Sequence, residues 1–177
     1  MPEIESHQRG LQLYEAGQLA RAQAAFSEAA NEYRDAGDLA MAGEMLNNVG
    51  VVQRGLREWE AALAAVTAAL TLFIELNDRQ REAQTLGNLG SIRMRMNDLD
   101  EAGNALSEAV EIYNELDERE ERAFVLNLFG QVRIKQGRHY DGLLDLEVGL
   151  ADREQLSAQQ RWLKKLLKLP TKLLRGL

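Results

Sequence analysis

The sequence predicts an all-α solenoid of about four antiparallel helix pairs, followed by a C-terminal capping helix. Three observations predict this fold class. The two prolines, Pro2 and Pro170, stand near opposite ends, so no proline ring breaks a helix between them. Ala, Leu, Glu, Gln and Arg dominate that stretch, which lacks the β-branched and aromatic runs that favour strands. The chain also repeats itself, because a shift of 40 residues aligns similar residues in four copies.

One glycine recurs at the same position of every copy, at Gly10, Gly50, Gly90 and Gly130. A glycine inside a helix costs about 1 kcal/mol relative to alanine, so four of them at one register require a packing reason. Small residues recur twelve positions later, at Ala22, Ala62, Ala102 and Gly142, and apolar residues four beyond these, at Phe26, Val66, Leu106 and Leu146. We therefore predict that each glycine lies on a first helix, where the backbone of a second helix approaches closely.

The turns within the four pairs are predicted at Gly17, Arg57, Asn97 and Gly137. Arg57 does not readily adopt the left-handed conformation that ends a helix, which leaves Gly55 as an alternative for that turn. Successive pairs should be separated at Gly37, Asn77 and Asp117, each of which precedes an acid that suits a helix N-terminus. These boundaries predict a repeat domain over residues 1–156, with repeats at about 3–37, 38–77, 78–117 and 118–156.

The repeated columns resemble the tetratricopeptide repeat family, whose signature contains a small residue, a second small residue twelve positions later and an apolar residue four beyond that. Gly50, Ala62 and Val66 occupy these positions. The resemblance covers residues 3 to about 156, and the period of 40 instead of the common 34 is similar to the extended-repeat subclass of kinesin light chain-type adaptors. The aromatic residue usual three positions after the glycine is replaced by Leu13, Gln53, Arg93 and Arg133. The resemblance implies a right-handed superhelical solenoid that acts as a non-enzymatic scaffold or adaptor.

In such a scaffold, the concave groove binds a peptide or a partner helix through the outer stripe of each first helix. Asn48 and Asn88 fall on this stripe, and an asparagine can pair with both the N–H and the C=O of a peptide. Alternatively, the two amides bond neighbouring helices or water. The chaperone-type carboxylate clamp is not expected, because its basic positions hold Glu44, Gln84 and Phe124. The further candidate groove residues are Val51, Ser91, Arg95, Phe124, Asn127, Leu128, Gln131 and Lys135.

Three of these candidates, Val51, Phe124 and Leu128, are apolar on a face that should be wet. They predict a patch for the apolar anchors of a ligand. Alternatively, the tail of the chain covers the face of the fourth repeat.

Residues 157–177 form the second predicted segment, a basic amphipathic capping helix and tail. The net charge is −7, but the last 17 residues carry +6, which leaves −13 on the rest. The acidic body argues against nucleic-acid binding. The tail either only caps the solenoid or also docks on an anionic membrane or an acidic partner. Its candidate contact residues are Trp162, Lys164, Lys165, Lys168 and Lys172.

Several classes of site are not expected from the sequence. There is no cysteine, no zinc-ligand spacing, no phosphate-binding glycine loop and no nucleophile motif, so neither an enzyme nor a metal or cofactor site is predicted. His7 and His139 are expected at the surface, and Trp59 in the core. The first residues are acidic where an export signal is basic, so a cytoplasmic location is expected. Self-association into a homo-oligomer through the solenoid ends is the alternative to partner binding.

Overall fold

A computed structural model describes the backbone of residues 4–174 and the side chains of residues 4–167. The described residues form helices joined by short connections, with no strand among them, which confirms the all-α class. The helices are α1 (Glu5–Glu15), α2 (Leu19–Asp35), α3 (Leu39–Leu56), α4 (Trp59–Glu75), α5 (Arg79–Met96), α6 (Leu99–Glu115), α7 (Arg119–Lys135), α8 (His139–Asp152) and α9 (Ala158–Leu174).

The helices pack as a solenoid. Each helix contacts the next one along the chain, from α1 against α2 to α8 against α9. The first helices of neighbouring pairs also touch one another, α3 against α5 and α5 against α7, whereas the second helices make no comparable contact. The chain therefore curves towards its first helices, whose outer stripes form the concave surface.

The repeated glycines bring the two helices of each pair together, as the sequence predicts. A Cβ atom added at Gly90 would lie 2.5 Å from Leu106 Cγ and 3.2 Å from the carbonyl oxygen of Ala102. At Gly130 the nearest atom would be the carbonyl oxygen of Gly142, at 2.7 Å. Real Cβ atoms essentially never come within 3.0 Å of such atoms, so the absent side chain is what permits the close approach.

The predicted turn positions adopt the left-handed conformation. Gly17, Asn97 and Gly137 have positive φ angles, as do Gly37, Asn77 and Asp117 between the pairs. Arg57 does so as well, with a φ of 64°, and Gly55 lies inside α3. The suggested alternative turn at Gly55 was therefore wrong. The helix end at Arg57 is closed by a hydrogen bond from the Glu58 N–H to the Gln53 carbonyl, 2.9 Å, which offsets part of the cost of the left-handed arginine.

Two side chains lie elsewhere than predicted. His7 is buried, not at the surface, because its Nδ1 atom lies 3.1 Å from the hydroxyl of the buried Tyr33. Trp59 is only half-buried, because the first residue of α4 stands beside the open concave surface instead of pointing into the core. His139 is exposed, as predicted.

The C-terminal helix α9 begins with a capping box. The Gln160 N–H donates to Ser157 Oγ at 3.2 Å, and the Ser157 N–H donates to Gln160 Oε1 at 2.9 Å. The helix runs through Pro170 to Leu174. Its apolar residues are divided between core and solvent, since Leu167 is buried while Trp162 and Leu166 are 65% and 44% exposed.

Candidate partner-binding grooves

Two grooves lie on the concave surface, at opposite ends of the first helices. The first, named the acidic groove, has a volume of about 540 Å³ and crosses the N-terminal halves of α3, α5 and α7. Its lining includes Glu44, Arg81, Gln84, Asn88, Tyr113, Glu118, Glu121 and Phe124. The second, named the arginine groove, has a volume of about 710 Å³ and lies near the C-terminal ends of α1, α3 and α5. Its lining includes Tyr14, Val51, Arg54, Arg57, Trp59, Ser91 and Arg95.

The acidic groove carries uncompensated carboxylates. Its only lining guanidinium, that of Arg81, pairs with Asp78 at 2.7 Å and with Glu44 at 3.1 Å, and these contacts raise the pKa of Arg81, the Asp78 hydrogen bond most strongly. Glu118 Oε2 is buried and has no hydrogen-bond partner within the described residues. Burial, and then the charges of Glu118 and Glu121, raise the pKa of Tyr113 to about 12. The groove therefore has a negative field and an acceptor that lacks a donor.

The acidic groove also exposes an aromatic side chain. Phe124, a predicted site residue, is 57% exposed beside Glu121. The described part of the tail therefore leaves Phe124 uncovered. Leu128, predicted to extend this apolar patch, is half-buried and packs against the core cluster of α5, α6 and α7. The exposed apolar side chain of the groove is thus the Phe124 ring, because Tyr113 and Val125 in the lining are buried.

The two candidate asparagines have different surroundings. The Asn88 amide donates to Asn47 Oδ1 at 3.1 Å and so bonds a neighbouring helix, which was the alternative reading of the sequence. Asn47 is buried, and it was missed because its neighbour Asn48 fits the outer stripe better. Asn48 is half-buried, and its amide has no protein partner in the described part of the chain. Asn48 nevertheless lines neither groove.

The other predicted residues of the fourth repeat stand near the edge of the concave surface. Asn127 accepts a hydrogen bond from Gln131 at 2.7 Å on an exposed part of α7. Lys135 is exposed at the end of this helix. None of the three lines either groove.

The arginine groove gathers predicted and unpredicted residues. Val51, Ser91 and Arg95 were predicted, and Ser91 accepts a hydrogen bond from Arg54 Nη1 at 3.0 Å. Arg54 and Arg57 were missed. They occupy repeat columns that hold Tyr14 and Gly17 in the first copy, so the columns indicate packing and turns and not charge. The repeat columns do not show which residues of different repeats lie close together.

The tail residues are only partly described. Trp162 and Lys165 are exposed, whereas Lys164 Nζ donates to the Leu150 carbonyl at 3.1 Å and so bonds the end of α8. The side chains of Lys168 and Lys172 lie outside the described residues. Among the helices that are described, none has the length and apolar content needed to cross a membrane.

Comparison with known proteins supports the fold. A model of the tetratricopeptide repeat family matches residues 81–140. The crystal structure of BtubC (BKLC) from P. vanneervenii is similar to this chain with a TM-score of 0.77 and 19% identity, over 86% of this chain and 67% of that chain. At this identity the likeness concerns the fold. No curated protein matches the sequence.

Proposed function

We propose that this chain, which belongs to the tetratricopeptide repeat family, binds a peptide or a partner helix in its acidic groove. Members of the family are typically non-catalytic scaffolds for protein–protein interaction. The groove crosses three first helices, so one ligand would contact repeats that are distant in sequence.

The exposure of Phe124 carries this proposal. A phenylalanine side chain that is 57% exposed in a groove keeps apolar surface in water, and burying such surface is worth about 25 cal/mol per Å². The ring is surrounded by polar and acidic residues, which is the arrangement expected of an apolar anchor point within a polar rim. We infer that the partner places an apolar side chain against Phe124.

The carboxylates add a requirement for the partner's charge. Glu118 and Glu121 line the groove and give it a negative field, which also acts on Tyr113. A Lys or Arg side chain of the ligand would balance these charges. Asn48 stands one turn after Glu44 on α3, and its amide would pair with the backbone of a ligand that extends beyond the groove lining.

The proposal is tested by capturing partners from the native cell with the purified chain and identifying them by mass spectrometry. Phe124→Asp should abolish capture, because it removes the apolar anchor and adds a like charge beside Glu121. Ile74→Asp is the matched control, since Ile74 is 52% exposed on α4, a second helix away from the groove. Equal capture by wild type and Phe124→Asp, or equal loss in both variants, contradicts the proposal.

Self-association or membrane-surface association through the tail is the second candidate function. Trp162 and Leu166 are exposed on α9 beside the basic Arg161 and Lys165. Such a surface suits either an anionic bilayer or the acidic body of a second copy. Sedimentation at rising protein concentration tests self-association, and flotation with phosphatidylserine vesicles at low salt tests membrane binding. A protein that stays monomeric and does not float with the vesicles rules out both.

A further inference from the structure

The arginine groove holds three cations that no acid neutralises. Arg54 donates to the Ser91 hydroxyl, and within the described residues Arg57 and Arg95 have no hydrogen-bond or carboxylate partner. None of the residues that line the groove is acidic. This arrangement is unexpected in a chain of net charge −7, in which a nearby carboxylate would be easy to supply.

Other arginines of α5 and α7 are neutralised by carboxylates. Arg93, two residues before Arg95 on α5, pairs with Asp98 at 2.9 Å. Arg122 pairs with Asp152 at 2.8 Å, both with mostly covered side chains. The absence of acids is thus a local property of the groove and not of the whole molecule.

Helix dipoles do not balance the groove. The C-terminal end of a helix carries about −0.5 of an elementary charge, so the ends of α1, α3 and α5 together supply about −1.5. Three guanidinium groups bring three positive charges, and a surplus of about +1.5 remains. Stabilisation of the helix ends therefore accounts for only part of the cluster.

The position of Arg54 also disfavours an empty groove. Burial lowers the pKa of Arg54, and the charge of Arg95 lowers it further, although Tyr14 acts in the opposite direction. Arg54 and Arg95 are thus held near each other, and Arg54 is partly removed from water. A bound anion would remove their repulsion and would complete the hydrogen bonds of their N–H groups.

We propose that the arginine groove binds the side-chain carboxylates of an acidic segment in the partner peptide. The inference rests on the proposed function and identifies the chemistry of the partner segment that would lie in the arginine groove. Guanidinium groups pair with carboxylates through two parallel hydrogen bonds, and the half-exposed rings of Tyr14 and Trp59 give the segment apolar walls. The partner would then place basic or N–H groups in the acidic groove and acids in the arginine groove.

The test uses blocked tetraglutamate and tetraglutamine peptides as probes, so that side chains are the only anions. Trp162→Phe leaves Trp59 as the only tryptophan, and its fluorescence then reports on the arginine groove. Tetraglutamate should change this fluorescence saturably at low salt, and the change should weaken with added salt. Tetraglutamine should leave it unchanged.

The key variant combines Arg57→Gly with Arg95→Gln. Glycine adopts the φ of 64° at position 57 more readily than arginine does, so this substitution removes the charge without destabilising the turn. The pair should weaken tetraglutamate binding about fivefold or more. Arg34→Gln with Arg119→Gln removes the same charge from exposed positions outside the groove and should leave binding unchanged.

The proposal fails if there is no saturable signal with tetraglutamate, an equal response to tetraglutamine, or equal weakening by both double variants. Inorganic phosphate that displaces tetraglutamate far more effectively than acetate does would also overturn it, by assigning the groove to phosphate groups. Phe124→Asp should retain tetraglutamate binding. A failure of this proposal can therefore be told apart from a failure of the proposed function. Tetraglutamate binding tests the arginine groove, whereas partner capture tests the acidic groove.

Discussion

At the scale of single residues, the hydrogen bond between Asn88 and Asn47 separates structural from binding roles. Asn48 and Asn88 both fit a peptide-binding stripe in the sequence, and only the position of Asn47 shows which of the two amides is engaged. Asn47 is 4% exposed, so its carbonyl depends on the Asn88 N–H. Asn48 makes no such hydrogen bond among the described residues.

This difference predicts unequal effects on stability. Asn88→Ala should lower the free energy of unfolding by about 1–3 kcal/mol, because it leaves the buried Asn47 oxygen without a donor. Asn48→Ala should change it by less than about 0.5 kcal/mol. Urea unfolding followed by circular dichroism measures both. Equal effects would show that the hydrogen bond between Asn88 and Asn47 does not stabilise the fold. If the effects differ as expected, Asn48→Ala tests binding with less effect on stability than Asn88→Ala.

At the scale of helices, the glycine register controls how closely each pair packs. Its role could be predicted from the sequence, because only a residue without a Cβ atom allows this approach and the pattern recurs at Gly10, Gly50, Gly90 and Gly130. The register alone does not show that Arg57 takes the left-handed conformation, since hydrogen bonds at the helix end permit a costly residue there. It also does not show that α9 divides its apolar residues between the solenoid and the solvent.

Two glycines of α5 provide a matched test of the register. A Cβ atom at Gly90 would lie 2.5 Å from buried Leu106, so Gly90→Ala should destabilise the chain by about 1–3 kcal/mol through overpacking. At Gly87 the nearest atom would be Val125 Cγ2 at 3.4 Å, an ordinary contact. Gly87→Ala should therefore be neutral, or stabilise by up to about 1 kcal/mol through helix propensity. Thermal unfolding that ranks the two variants in the reverse order contradicts the packing account.

At the scale of the whole molecule, the concave surface separates charge between its two ends. The acidic groove holds Glu118 and Glu121 near an exposed Phe124, and the arginine groove holds Arg54, Arg57 and Arg95. The concave stripe follows from helical periodicity and from the family resemblance. The separation does not, because it depends on which side chains of neighbouring repeats meet. Arg54 reaches Ser91 across 37 residues of sequence.

If the first helices bind the partner, hydrogen–deuterium exchange of the chain with and without a captured partner should reveal it. Exchange should become slower in α3, α5 and α7, around Asn48, Asn88 and Phe124, and should change little in α4 and α6. Slower exchange confined to the second helices or to α9 would contradict it, because the partner would then bind the convex surface or the tail.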